Sequence, residues 1–461
     1  MLSFTTKDAL KVAISFVISI VLSLYFGWEK PYWAAVTIVV LASNETYGQS
    51  LKVARERLMG TLAGAIIAII LIAFFSQDRL LFIGIYLILA AIATYMAFDP
   101  KHGYAYRMSF IVCTMITAVG SFDDFTSFSM IILRLQETLL GIVVYSLVYR
   151  FVWPNSTENY FFTLLDKVLL ELKTYCIQLN DAISIEDGQK LVEKLAHTQQ
   201  QIAKMEMLLD LPLSGSYRLS NQLKKWQSCT IASYEIAQKL NHFAVQDPKQ
   251  ETTTKVTSND LDEIQRKLAL LQEGVKNDER PMGQLSLTKS WHDLTNLSPM
   301  ESSRNRLINA MMSFIIIGCC FGAWIYIPIM GSYMFPLLSS ILAVSIMTMP
   351  KGLIKPAATV TFNTSVIILI EYVFLMPYFT ELWQLCLFYF INIFAIWRIC
   401  STPALALYKL LGGNFVVILT MSALNLTPSY SIETPLNTLI MLFLIFGIIS
   451  FFENLSKPLY K

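Results

Sequence analysis

Ionisable side chains are scarce inside the apolar stretches of this 461-residue chain, and they define the chemistry open to it. Each costs at least ~2.5 kcal/mol at the centre of a membrane helix, which makes each a functional candidate. Arg134 and Glu137 stand three residues apart in RLQETLLG, so both reach the same helical face. Such a pair either neutralises itself near the outer end of its helix or handles a small anion and a proton, and the spacing fits both uses. Arg57 directly precedes LMGTLAGA and begins a helix there, with Thr61 inside a Gly60-x-x-x-Gly64 spacing that lets another helix approach closely. Asn44 and Glu45 close a short apolar stretch, followed by Lys52, Arg55 and Arg57. A carboxylate beside cations suits anion uptake; a solvated basic loop explains the same run. Glu371 lies near the outer end of its stretch, where snorkelling to the interface accounts for it. Trp33, with Trp28 and Tyr32, fits an interfacial aromatic belt or stacking with an aromatic ligand.

Catalytic signatures are missing. The chain has no GxxxxGK[ST] phosphate loop, no GxSxG elbow and no HExxH helix. Its seven cysteines form no C-x-x-C pair and its four histidines are scattered, so neither a metal site nor any cofactor is expected. The expected activity is not enzymatic. Transport, a channel or a scaffold remain.

The elements that position these residues follow from composition. Only 15% of residues are charged and 55% are hydrophobic, which marks a membrane protein rather than a soluble one. Spans of about 17 to 25 residues are expected at Ala9–Phe26, Tyr32–Asn44, Leu58–Phe75, Leu80–Phe98, Met108–Gly120 and Met130–Val152, the second and fifth being short. No small-residue cleavage site follows the first, so it is read as a retained span. Residues 151–300 hold 16 Lys+Arg and 19 Asp+Glu and no apolar run long enough to cross. Leu165, Leu169, Leu172 and Cys176 share one helical face there, as do Leu261, Ile264, Leu268 and Leu271. Thr257-x-x-Asp260 resembles a capping box, and loop signals lie at Asp181–Gly188, Leu211–Ser216 and Gln246–Thr257. A bundle of about four helices is expected. Spans resume at Leu307–Tyr326, Tyr333–Met349, Ala357–Met376, Leu382–Trp397, Tyr408–Leu424 and Leu436–Phe452.

The fold expected is an all-α membrane protein of about twelve transmembrane helices, arranged as two parallel six-helix repeats with an inserted cytoplasmic helical bundle. Its boundaries are 1–153 for the first half, 154–303 for the helical domain and 304–461 for the second half. The short second span, with Pro31 at its start, has a counterpart at Tyr333–Met349 that contains Pro336 and stops at Pro350. Paired short or proline-interrupted spans point to a transporter's binding site. Lys52, Arg55, Arg57, Lys101, Arg107, Arg150, Arg304, Lys351, Arg398 and Lys457 recur on one side of the membrane. The positive-inside rule therefore puts both termini and the helical domain in the cytoplasm. No second cytoplasmic domain is expected after Lys457.

Five stretches carry a family resemblance: KPYWAAVTIVV, RLMGTLAG, YAYRMSFIVCTMITA, RLQETLLGIVVYSLV and FVWP. Within them Pro31, Trp33 and Ala34, then Arg57, Gly60, Thr61 and Gly64, then Arg134, Glu137 and Gly141 resemble the motifs of the fusaric acid resistance protein family, which includes the aromatic acid exporters. The resemblance covers residues 9–154 and extends to the second half by topology. It implies a bacterial inner-membrane efflux component for aromatic carboxylic acids or related toxic compounds, working with a periplasmic adaptor protein of the membrane-fusion type. The expected partners are thus membrane lipid, a small organic anion, that adaptor and a second copy of the chain, with no nucleic acid. The expected function is ion-coupled export of small organic anions, with Arg57 and Arg134 attracting the anion and Glu137 as coupling carboxylate. The alternatives are a passive organic-anion channel and a non-transporting envelope protein.

Overall fold

Inside a bilayer every backbone N–H and C=O needs an internal partner, and a single apolar segment can supply those partners only as a helix. The computed structural model describes residues 3–44, 46–120, 123–153, 157–180, 185–211, 217–245, 258–276, 303–329, 333–402, 405–425 and 427–460. Among them no strand occurs. The chain divides into two compact units, Met1–Glu45 with Ser50–Pro154 and Glu301–Lys461, and Thr46–Gln49 with Asn155–Met300.

The first unit opens with α1 (Phe4–Tyr25), α2 (Tyr32–Ala42), α3 (Tyr47–Phe75), α4 (Arg79–Met96), α5 (Gly103–Val119) and α6 (Asp124–Phe151). Side-chain caps start several of them. Ser3 accepts from the Thr6 N–H, Asp78 from Leu80 and Leu81, and Asp123 from Thr126. The two hydrogen bonds that Thr126 gives Asp123 also hold its carboxyl below the usual carboxylate range. The other helices of this unit are α12 (Ser303–Tyr326), α13 (Met334–Met347), α14 (Ile354–Phe374), α15 (Leu382–Ile399), α16 (Gly413–Leu419) and α17 (Glu433–Ser456).

Among the described residues, eight helices are long and apolar enough to cross a membrane. The shorter apolar ones are α2, α5, α13 and Tyr408–Leu419. Packing follows a regular pattern. α1 packs on α15 and α4 on α12, while α2 packs on α16 and α5 on α13. On α3 small residues face inward beside Leu71 and Ile72: it buries Ala65 and Ala68 while exposing Ile66, Ile69 and Phe74. That distribution suits helices whose solvent is lipid, where small residues bring backbones together. A Cβ on Gly60 would stand 2.7 Å from the Ala105 carbonyl oxygen, and one on Gly64 would collide with the Ser109 carbonyl oxygen and sit 2.9 Å from the Val112 Cβ. The glycines of the GxxxG spacing are therefore packing residues.

Three expectations are corrected. The basic segment after α2 is not a loop: α3 begins at Tyr47, so Lys52, Arg55 and Arg57 lie on it. Thr46 accepts a hydrogen bond from the Gln49 N–H at its start, and Lys52 pairs with Glu56 one turn on. Charges end a hydropathy window, but Lys, Arg and Glu are good helix formers and carry the helix past the apolar core. α6 begins at Asp124, which places Arg134 and Glu137 well inside it rather than near its end. The stretch Tyr408–Leu424 is not one helix. A π-turn at Tyr408–Gly412 leads into α16, and a 3-10 turn at Met421–Leu424 follows Thr420, whose hydroxyl meets Tyr389 at 2.7 Å.

The second unit contains α7 (Thr157–Asn180), α8 (Ile185–Leu209), a short α9 (Tyr217–Asn221), α10 (Leu223–Val245) and α11 (Ser258–Lys276). Leu165, Leu169, Leu172 and Cys176 are all buried, as are Ile264, Leu268 and Leu271; the Leu261 side chain and Thr257 lie outside the described residues. Gly188, expected in a loop, is within α8; residues 181–184, 212–216 and 246–257 of the other loop signals are outside the described residues. Trp226 is fully buried in this core, its indole N–H donating to the Arg218 carbonyl at 3.2 Å.

Candidate functional site

The start of α2 and the middle of α6 bring charge to one place. Pro31 precedes α2, and Trp33 is in its first turn. α6 lies directly against α2 because Gly141 permits it: a Cβ there would stand 2.8 Å from both the Ala34 carbonyl oxygen and the Thr37 Cβ. One turn before that glycine stands Glu137, whose Oε2 accepts from Nη1 of Arg134, a further turn back, at 3.2 Å. The guanidinium carbon is 4.1 Å from the centroid of the Trp33 ring, a cation–π stack. Arg134 is 5% exposed and Glu137 1%, so neither shares its charge with solvent. Arg134 Nε and Glu137 Oε1 are buried with no hydrogen-bond partner. A pair built only for stability would satisfy those atoms.

Two more cations act on this pair. Lys30, in the turn before α2, has its ammonium 3.6 Å from the Met130 sulfur, and its charge interacts with both Arg134 and Glu137. Burial pushes the Lys30 ammonium below its ordinary pKa, and the Arg134 guanidinium pushes it the same way. Arg57, buried on α3, donates from Nη1 to the Tyr104 hydroxyl at 3.0 Å and repels Arg134 electrostatically. Three cations therefore stand against two carboxylates, Glu137 and, acting on Lys30, Glu29. In a low-dielectric interior that excess favours an added anion, and the buried, unpartnered Arg134 Nε–H is a donor suited to a carboxylate. Tyr32, at the first position of α2, is within electrostatic reach of Tyr333, which precedes α13.

The remaining sequence candidates are placed elsewhere or used otherwise. Asn44 donates from Nδ2 to the Val40 and Leu41 carbonyls at 3.1 and 3.0 Å and so closes the end of α2. The Thr61 hydroxyl bonds back to the Arg57 carbonyl at 2.8 Å within α3. Glu371 does not snorkel freely: its carboxylate accepts from Asn392 Nδ2 on α15 at 2.8 Å. Glu45 lies outside the described residues. Lys30, Tyr104 and Asn392 were not legible as partners in the sequence. Lys30 carries the one usable signal, three residues before Trp33 at the start of a short span.

Loss of the Lys30 charge should weaken anion binding. Affinity of this cluster for a small anion is expected to fall as pH rises through the alkaline range below the ordinary lysine value, since deprotonation removes a cation. Lys30→Arg should move that fall to higher pH. A profile that Lys30→Arg leaves unchanged would remove Lys30 from the site.

Fold and site together define a multi-pass α-helical membrane protein with a buried, cation-rich cluster. Residues 7–210 match the model of the Fusaric acid resistance protein family. Similar curated proteins are p-hydroxybenzoic acid efflux pump subunits AaeB. That of Enterobacter cloacae subsp. cloacae is 22% identical over 261 residues, which cover 54% of this chain and 39% of its own. That of Salmonella heidelberg is 22% identical over 262 residues with the same coverage. That of Edwardsiella ictaluri is 23% identical over 209 residues, covering 42% of this chain and 32% of its own. The match thus spans less than half the length of these relatives. No solved structure matches the chain.

Proposed function

We propose that this chain is the inner-membrane subunit of an efflux system that exports small aromatic carboxylates by ion-coupled secondary transport. The observation that carries the reading is the cluster of buried Arg57, Arg134 and Glu137 with half-buried Lys30 against the Trp33 indole, where cations outnumber carboxylates and polar atoms of the clamp are unfilled. The substrate's carboxylate takes the Arg134 edge and its ring lies along the aromatic wall of Trp33 and Tyr32. Glu137 is the coupling carboxylate, which gives up Arg134 to the substrate and takes a proton or a neighbouring cation in exchange. The names of the similar efflux subunits support the aromatic-acid class, and their being subunits supports a partner such as a periplasmic adaptor.

Two parallel six-helix halves with a cytoplasmic helical domain at 154–303 complete the proposal. Its support is the packing of α1 on α15 with α4 on α12, and of α2 on α16 with α5 on α13, pairings that a two-fold relation between halves would produce. The recurrence of short helices at the second and fifth places of each half supports it too. Positive-inside counting supports cytoplasmic termini. The test is a strain lacking this chain, challenged with a panel of aromatic acids. Selective sensitivity, reversed by the intact gene, is the expected result. Wild-type growth on every acid would contradict the reading.

A further inference from the structure

A second buried charge stands apart from the Arg134 cluster. Lys11 on α1 is 0% exposed, and its ammonium has no hydrogen-bond partner. It stands 5.1 Å from the centroid of the Tyr149 ring on α6. A single cation–π contact does not replace the water and acceptors that a buried ammonium gives up. Such a group persists where something else uses it.

Its surroundings are polar and continuous. The Tyr149 hydroxyl donates to Asp8 Oδ1 at 3.1 Å, and the Tyr149 ring stacks on Tyr145 with centroids 4.1 Å apart. The Tyr145 hydroxyl donates to Ser50 Oγ on α3, and the Ser50 hydroxyl donates to the Leu41 carbonyl in the last turn of α2, both at 2.8 Å. The charges that face Asp8 are those of Lys11 and Lys409, and Lys11 also faces Lys7. Here again cations outnumber the carboxylate, and Asp8 is already engaged by Tyr149.

The place of this cluster gives it meaning. The Arg134 clamp lies at the start of α2, whereas the Tyr145–Ser50–Leu41 chain ends at its other end. Tyr149 is about 18 Å beyond Glu137 along α6 at 1.5 Å per residue. The short helix α2 thus has a buried cationic station at each end. We propose that Lys11, against the Tyr149 and Tyr145 rings, is a second binding site for a small aromatic monocarboxylate, occupied in series with the Arg134 clamp. The inference rests on the export reading given above. The ligand's carboxylate takes the free ammonium donors, and its ring lies by the two tyrosines. Two sites of moderate affinity let an anion leave one by moving to the next, where a single tight site would hold it.

The test is equilibrium binding of radiolabelled benzoate to the purified full-length protein in lipid nanodiscs. The expected stoichiometry is two per chain, falling to one in Lys11→Met, one in Arg134→Gln and none in the double variant. Lys11→Arg, which keeps a cation over the ring, should retain two. One wild-type site that Arg134→Gln removes and Lys11→Met leaves intact overturns this inference and leaves the export reading standing. Two sites surviving in Lys11→Met overturn it as well. Absence of saturable binding in the wild type sinks both. If Lys11→Met does not fold, Lys11→Gln is measured in its place; if neither neutral variant folds, the ammonium belongs to stability and the proposal fails.

Discussion

Arg134→Gln is expected to abolish aromatic-carboxylate export and to destabilise the purified protein by about 3–5 kcal/mol, because it leaves the Glu137 carboxylate buried without its partner. The two effects must be separated, since an unstable exporter also exports nothing. Arg134→Gln combined with Glu137→Gln removes both charges and keeps two side chains that can hydrogen-bond each other. That double variant should regain most of the lost stability while export remains absent. Arg134→Lys keeps the charge but loses the planar fork, so it should bind the anion more weakly and export slowly. Melting temperature and export rate, measured on all three, check the account. A double variant that exports at the wild-type rate would assign Arg134 and Glu137 to structure alone.

Gly64→Val should be the most damaging change outside the charged cluster. The new side chain meets the Ser109 carbonyl and the Val112 Cβ, and a backbone oxygen cannot rotate away as a flexible side chain would. Overpacking of this kind costs about 1–3 kcal/mol, and here it also drives α3 from α5, which moves Arg57 away from Tyr104. The expected result is a lower melting temperature together with reduced export. Gly84→Val, where a Cβ meets nothing within 4 Å, should be neutral. Equal melting temperatures for the two variants would contradict the packing role of Gly64.

Much of this could be read from local pattern. Apolar runs located the eight described helices long enough to cross a membrane because hydropathy is a local property, and i,i+3 spacing placed Arg134 beside Glu137 because one helix carries both. The GxxxG spacing was legible for the same reason. What escaped depended on contacts far apart in the chain. Arg57 finds Tyr104, Glu371 finds Asn392, and Lys30 acts on Arg134, none of which spacing can reveal. Lys11 escaped differently: at the third residue of the expected span Ala9–Phe26 it reads as a charge at the membrane edge, and only the packing of α1 on α6 shows it buried. The extent of α3 was misjudged because Lys52, Arg55 and Arg57 interrupt hydropathy without interrupting a helix.

The central claim is that the Arg134 cluster moves an aromatic carboxylate at the expense of an ion gradient. Flux of labelled benzoate into proteoliposomes of the purified chain tests it most directly, with a proton gradient imposed and then collapsed. Accumulation above equilibrium that needs the gradient, and that Arg134→Gln abolishes, is the predicted result. Equal flux with and without the gradient would make the protein a passive anion channel, and accumulation that persists in Arg134→Gln would place the transport site elsewhere.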